Sequence, residues 1–127
     1  ACYCGRHGCM ETWVSGRAFE AQYTEHKGVE LKAAEIMDLK RKGDHLANLL
    51  WQRYIDRVAR GLATVVNTLD PDVLVMGGGM SNVDELYDDL PPALARRTFS
   101  TVFHTPILRN RHGDASGVRG AAWLWRD

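Results

Sequence analysis

All three cysteines of the chain, Cys2, Cys4 and Cys9, fall within its first nine residues, and the rest of the 127-residue chain contains none. An odd number of thiols at such short spacing makes a poor disulfide framework, since one must stay unpaired and the small loops close with strain. Clustered thiols in a chain with no disulfide partner elsewhere point instead to a metal site in a reducing compartment. Zinc suits thiolates, and a closed structural site takes four tetrahedral ligands. Gly5 and Gly8 allow the tight backbone reversal that brings sulfurs two and five residues apart onto one ion. The loop supplies three thiolates. The fourth ligand is either His7, whose place between Arg6 and Gly8 strains the geometry, or a residue upstream of Ala1.

Glu11 follows two residues after the last cysteine, at the start of a helical pattern. A carboxylate there has two readings. It compensates the helix dipole, or the metal loop fixes the helix start and so aims Glu11 at a polar ligand such as a sugar hydroxyl.

The remaining sequence reads as a helix-rich α/β chain. Apolar residues recur at helical spacing from Glu11 to about Tyr23, with a possible interruption at Ser15 and Gly16, and Thr24 to Val29 reads as a turn. Leu31 to Lys42 predicts a short helix stopped by Gly43. Asp44 caps the longest helix, in which Leu46, Leu49, Leu50, Ile55, Val58, Leu62, Val65, Val66 and Leu69 form a nearly continuous apolar stripe. Arg53, Asp56, Arg57 and Arg60 form its solvated face, and Trp51 and Tyr54 are packing residues. Asp72 to Met76 has the β-branched character of a buried parallel strand. A helix opened by Ser81 to Glu85 is expected to break at Pro91-Pro92 and to resume through Arg97. Thr105 to Leu108 is a second short strand, His112 to Asp114 a turn, and Asp114 or Ser116 caps a last helix through Trp125. Two strands make a poor sheet on their own, so further strands are expected from a segment upstream of this chain.

Between the first strand and the following helix lies Gly77-Gly78-Gly79. Strand, glycine loop and helix form the usual setting for a ligand at the carboxyl end of a parallel sheet. The loop is neither a GxxxxGK[ST] nor a GxGxxG motif. Asp84 and Glu85 already occupy the dipole-favoured start of the next helix, which disfavours a phosphate there. A neutral ligand part such as adenine or ribose fits better, and a simple chain reversal is the competing reading. Arg96-Arg97 and Arg109 to His112 read as solvated surface; Gly117, Gly120, Ala121 and Ala122 suggest close approach of the last helix to another element. Trp123 and Trp125 point to different sides, so one is placed to meet a second lobe or subunit. Sixteen basic residues balance sixteen acidic ones, which argues against nucleic-acid or anionic-membrane partners. No apolar run approaches the ~20 residues a membrane helix needs.

The stretch Cys2-Tyr-Cys-Gly-Arg-His-Gly-Cys-Met-Glu11-Thr resembles the CxCGxxGCxE signature of the ROK family of bacterial sugar kinases and sugar-responsive repressors. Leu69-Asp-Pro-Asp-Val-Leu-Val-Met-Gly-Gly-Gly79-Met-Ser resembles that family's second hallmark, and His112 through Trp125 resembles the C-terminus of its bacterial fructokinase (manno-fructokinase) branch. The resemblance implies part of the C-terminal lobe of an actin-like, hexokinase-type (ribonuclease H-like) fold over residues 1–127. Residues 1–11 would be the zinc loop, and residues 72–82 the strand and glycine loop. It implies a structural Zn2+ on Cys2, Cys4 and Cys9, a sugar contact from Glu11, and an adenosine-side loop at Gly77, Gly78 and Gly79. ATP with Mg2+ and a hexose, fructose or mannose, would be the substrates of a cytoplasmic, dimeric kinase. The family's zinc histidine, its phosphate loop and its aspartate base have no matching positions here. The resemblance therefore places no catalytic residue in this chain, which by itself is expected to be inactive without an N-terminal lobe. A sugar-responsive repressor and a stand-alone zinc-binding interaction module are the competing expectations.

Overall fold

The computed structural model describes residues 1–100, 103–113 and 116–125. Four helices pack around one long helix, and a two-stranded parallel sheet lies at one side. A single-turn helix α1 (Glu11–Val14) is followed at once by α2 (Gly16–Lys27). Ser15 separates them: its extended backbone breaks the helix, and its side chain accepts a hydrogen bond from the Ala18 amide at 3.1 Å. The interruption expected at Ser15 and Gly16 is real. The turn expected from Thr24 is not, because α2 runs on to Lys27. Thr24 Oγ1 donates to the Glu20 carbonyl and His26 Nδ1 to that of Gln22, so both polar side chains bond within the helix. The helix stops where Gly28 adopts φ 68° and donates its amide to the Thr24 carbonyl.

Helix α3 (Ala33–Arg41) leads through Gly43 into α4 (His45–Leu69). Asp44 caps α4 as expected, accepting from the Ala47 amide at 2.8 Å. At 25 residues α4 is about 37 Å long, and it touches α1, α2, α3 and α5. Trp51 is its centre. The indole stacks on Tyr54 with centroids 5.5 Å apart, meets Phe19 edge-on at 6.2 Å, and donates to Asp89 Oδ2 at 2.6 Å. Both Trp51 and Tyr54 are buried, as their packing role requires. Burial pushes the Tyr54 phenol up to about 12.

Arg57 departs from the expected solvated face. Its guanidinium lies over the Trp13 ring, 4.6 Å from the centroid, and donates to Gln22 Oε1 at 2.6 Å. It therefore joins α1, α2 and α4. Arg60 keeps the expected exposed position, paired with Asp56, which also meets Arg97.

Asp70 ends α4 in the left-handed region at φ 43°, a conformation Asp tolerates better than most residues. Strand β1 (Leu74–Met76) and strand β2 (Ile107–Arg109) then pair in parallel, Leu74 with Ile107, Val75 with Leu108 and Met76 with Arg109. The strands are shorter than expected, and β1 is not buried on both faces. Leu74 and Met76 turn to the core, whereas Val75 is 60% and Leu108 51% exposed.

Helix α5 (Glu85–Ala95) runs straight through Pro91 and Pro92, where a break was expected. An interior proline costs about 3 kcal/mol in an isolated helix. Here Leu86, Leu90, Ala93 and Leu94 bury one continuous stripe against α4, and that burial offsets the lost backbone bonds. Helix α6 (Ser116–Trp123) ends short of Trp125, and Val118, Trp123 and Trp125 are all exposed. A Cβ at Gly117 or Gly120 would meet nothing within 4 Å, so the close approach suggested by these glycines does not occur among the described residues. Asp114, one of the two expected caps, lies outside them. None of the described helices is long and apolar enough to cross a membrane.

One tertiary ion pair gives a pH signature. Arg41 Nε and Nη2 donate to the two carboxylate oxygens of Glu85 at 2.8 and 3.0 Å, joining α3 to α5. These hydrogen bonds hold the Glu85 carboxyl below its ordinary 4.5, against the opposing effect of its partial burial. A lowered value stabilises the fold above 4.5, and that contribution is lost as pH falls through the folded value. Glu85→Gln is therefore expected to lower Tm by a few degrees at pH 7, with the gap from the parent closing below pH 4. Thermal melts across that range check this; a constant gap would assign the effect to packing.

Candidate functional site

The cysteine loop folds back on itself through local bonds. The Cys2 amide donates to the Arg6 carbonyl at 2.8 Å, the Gly5 amide to Cys2, and Gly5 and Gly8 take φ of 82° and 73°. The three Sγ atoms converge within 4.8 Å of one another, with Cys4 and Cys9 3.5 Å apart. Sulfurs on a tetrahedral zinc at 2.3 Å would stand about 3.8 Å apart, so the donor set fits the ion in type and spacing. The Arg6 backbone amide, helped by the Cys9 and Cys2 thiols, lowers the Cys4 thiol; contact with Cys4 and then Cys2 raises Cys9. His7 is exposed and is not among the converging residues, so it does not complete the set.

Thr12 anchors the end of the loop. Its amide and its hydroxyl both donate to the Cys9 carbonyl, at 3.0 and 2.6 Å. Met10 is seated by α4, where Gly61 leaves it room: a Cβ on Gly61 would lie 2.2 Å from Met10 Cε. Between these fixed points stands Glu11. It is exposed and makes no hydrogen bond or ion pair among the described residues. A one-turn α1 carries little dipole for Glu11 to compensate, because α2 starts afresh at Ser15. That weakens the purely local reading of this carboxylate.

Glu11 and the glycine loop face the same cavity of about 760 Å³. Val14, Val58, Leu62, Val65, Met76 and Met80 give it apolar walls, with Tyr54, Thr64 and Ser81 adding polar atoms. The loop does not lead straight into a helix. Gly79–Asn82 forms a 3₁₀ turn, and α5 begins only at Glu85. Ser81 is buried within that turn rather than capping the helix, a role the sequence pattern had suggested. Gly78 needs its glycine for a φ of 78°. Gly77 and Gly79 do not lie in the left-handed region, and a Cβ on either would meet no atom within 4 Å. Neither conformation nor internal contact demands glycine there, and both positions border open space. Asp84 and Glu85, expected to repel phosphate, are held by Arg109 at 2.5 Å and by Arg41. Arg97 is likewise paired with Asp56, so one arginine of each basic stretch serves a surface ion pair. Sequence reasoning found Glu11 and the loop separately, but not Met80 or Gly16, which bridge them: a Cβ on Gly16 would stand 3.4 Å from Met80 Sδ.

The chain is similar in sequence to the N-acetyl-D-glucosamine kinase of Photobacterium profundum, at 42% identity over 97% of this chain and 41% of the relative. The enzyme of that name from Haemophilus influenzae is 40% identical over 98% of this chain and 41% of its own length. These relatives do not support the expected fructokinase branch. The chain thus spans about two-fifths of the curated relatives it matches. In structure it is similar to a ROK hexokinase from Thermus thermophilus, with TM-score 0.81 and 33% identity over 96% of this chain and 41% of that one. A ROK glucokinase from Streptomyces griseus, solved with glucose and AMPPNP, aligns at TM-score 0.80 and 26% identity, covering 95% of this chain and 45% of that one. The expected fold class stands: this is a helix-rich α/β portion of the actin-like, hexokinase-type fold. The ROK family model matches residues 1–127 from end to end, and the chain belongs to the ROK family.

Proposed function

We propose that this chain forms the sugar- and nucleotide-facing portion of an ATP-dependent hexose kinase, with N-acetylglucosamine the first substrate to test. The observation that carries the proposal is the shared cavity: an unpaired carboxylate, Glu11, opposite an open glycine backbone at Gly77, Gly78 and Gly79. A carboxylate that accepts from neighbouring sugar hydroxyls orients a hexose, and unobstructed glycines let the flat part of adenosine lie on the backbone. Relatives at 37% to 42% identity bear the name of an N-acetylglucosamine kinase, which favours phosphorylation over repression and a 2-acetamido hexose over fructose or mannose. ATP with Mg2+ supplies the phosphoryl group. The residues described here hold and orient the two substrates, and the base that takes the hydroxyl proton comes from the rest of the protein. The three free thiols suit the reducing cytoplasm.

The protein containing this chain is expected to phosphorylate N-acetylglucosamine at a higher kcat/KM than glucose, mannose or fructose. Absence of phosphorylation of every hexose offered, with ATP and Mg2+ present, would refute the kinase reading. The 127 residues alone are expected to give no steady turnover, since they line one side of the cleft.

Zinc fits Cys2, Cys4 and Cys9 with a fourth ligand from outside the chain, and would tie down the loop that sets Glu11. Cys9→Ser is expected to lower zinc content from about one per chain and to cost at least tenfold in kcat/KM for the sugar. Elemental analysis together with kinetics checks both. Unchanged zinc in this variant would remove Cys9 from the ligand set.

A further inference from the structure

The glycine loop faces open space on its cavity side, yet it is held firmly from behind. Ser81 is the buried polar residue of the described chain, 1% exposed. Its hydroxyl donates to the Gly78 carbonyl at 2.7 Å, reinforcing the bond from its own amide to the same oxygen at 3.0 Å. Asn110, just past the end of β2, reaches across to complete the hold. Its Nδ2 donates to Ser81 Oγ at 3.1 Å and to the Met76 carbonyl at 3.0 Å, and its backbone amide meets that same carbonyl. The carbonyls on either side of Gly77 are thus each fixed by a side chain from outside the loop. Tyr87 adds a third tie, donating its hydroxyl to the Ser81 carbonyl at 2.7 Å.

Three consecutive glycines carry a large conformational entropy, which an incoming ligand would otherwise have to quench. Bonds to Met76 and Gly78 remove that freedom before binding, and Ser81, although it lines the cavity, commits its hydroxyl to the Gly78 carbonyl and to Asn110. We propose that Ser81 and Asn110 are positioning residues of the nucleotide side: they pre-form the backbone surface of Gly77–Gly79 and so set the affinity for ATP, touching neither substrate. The inference rests on the kinase reading above and names residues that β2 and the 3₁₀ turn contribute to it.

The test uses the full-length protein, with kcat and KM measured for ATP and for sugar separately. Ser81→Ala and Asn110→Ala are each expected to raise the KM for ATP about tenfold, as the loss of one or two buried hydrogen bonds implies. The KM for sugar should move less than twofold. Ser81→Thr, which keeps the hydroxyl, should restore most of the ATP affinity. Should Ser81→Ala fail to fold, Asn110→Asp serves in its place: it removes the Nδ2 donor at a half-buried position and should show the same split. Equal increases for ATP and sugar, or no rescue by threonine, would overturn the clamp and leave a merely structural role. An ATP KM within twofold of the parent in the alanine variants would overturn it as well. Gly79→Val separates the two levels of inference, since it fills the cavity side of the loop without touching the clamp. If Gly79→Val leaves the KM for ATP unchanged, the nucleotide assignment of the loop fails, and the clamp proposal falls with it. If Gly79→Val abolishes ATP use while the clamp variants behave like the parent, only the clamp is refuted.

Discussion

Replacing Glu11 by alanine in the full-length protein is expected to lower kcat/KM for the sugar by roughly 100-fold or more. A hydrogen bond to a charged group contributes about 1.5–3 kcal/mol, and a carboxylate facing neighbouring hydroxyls makes two. The effect should be specific. Glu11 is exposed and makes no hydrogen bond or ion pair among the described residues, so Tm should stay within about a degree and the KM for ATP within about threefold. Glu11→Gln keeps the size and one acceptor and is expected to fall between parent and alanine. Full activity in Glu11→Ala would return this residue to the role of a surface acid beside a metal loop. Equal damage to ATP and sugar kinetics would place it elsewhere in the reaction. The expectation leans on how the carboxylate is held: Cys9 is bonded to Thr12 on one side, and Met10 is seated over Gly61 on the other.

Trp51→Ala should have the largest effect on folding. The indole is 1% exposed and contacts Phe19, Tyr54 and Asp89, so its removal opens a void at the meeting point of α2, α4 and α5. Truncation of a buried tryptophan costs about 3–5 kcal/mol, a large share of the 5–15 kcal/mol typical of whole domains. A drop in Tm of at least about 10 °C is expected by calorimetry or circular dichroism. Trp51→Phe keeps much of the ring packing and loses the bond to Asp89. Because that carboxylate is exposed and can turn to water, phenylalanine should cost less than half as much. If alanine and phenylalanine were equally damaging, the hydrogen bond rather than the packing would dominate.

The long helix and its cap were legible because the signals are local and agree: Asp44 followed by an apolar stripe at helical spacing admits few alternatives. The convergence of the three thiols was legible for another reason, since cysteines two and five apart with interleaved glycines fold back on one another. The errors came where tertiary packing overrides local preference. Pro91-Pro92 reads as a break, yet α5 continues because Leu86, Leu90, Ala93 and Leu94 have a common surface to bury on α4. Arg57 reads as solvated, yet a flat cation can cover Trp13 while bonding Gln22 from another helix, a pairing no spacing reveals. The end of α2 was misplaced by four residues because Thr24 and His26 are weak helix formers, and the true stop is the left-handed Gly28. In the site, Glu11 and the glycine loop could each be named from the sequence. Their meeting in one cavity could not, since it depends on α1 packing against α4 and on Met80 of the 3₁₀ turn meeting Gly16 at the start of α2.

The two-stranded sheet has a practical consequence for anyone handling these residues by themselves. Val75 and Leu108 lie side by side as an exposed apolar patch on one face of the sheet, and its outer strand edges have no further strand beside them among the described residues. Such a surface recruits its like, so samples of the isolated 127 residues should self-associate with rising concentration, and light scattering should grow well below the melting temperature. Charge at this face, for example Val75→Lys, would keep the isolated polypeptide dispersed.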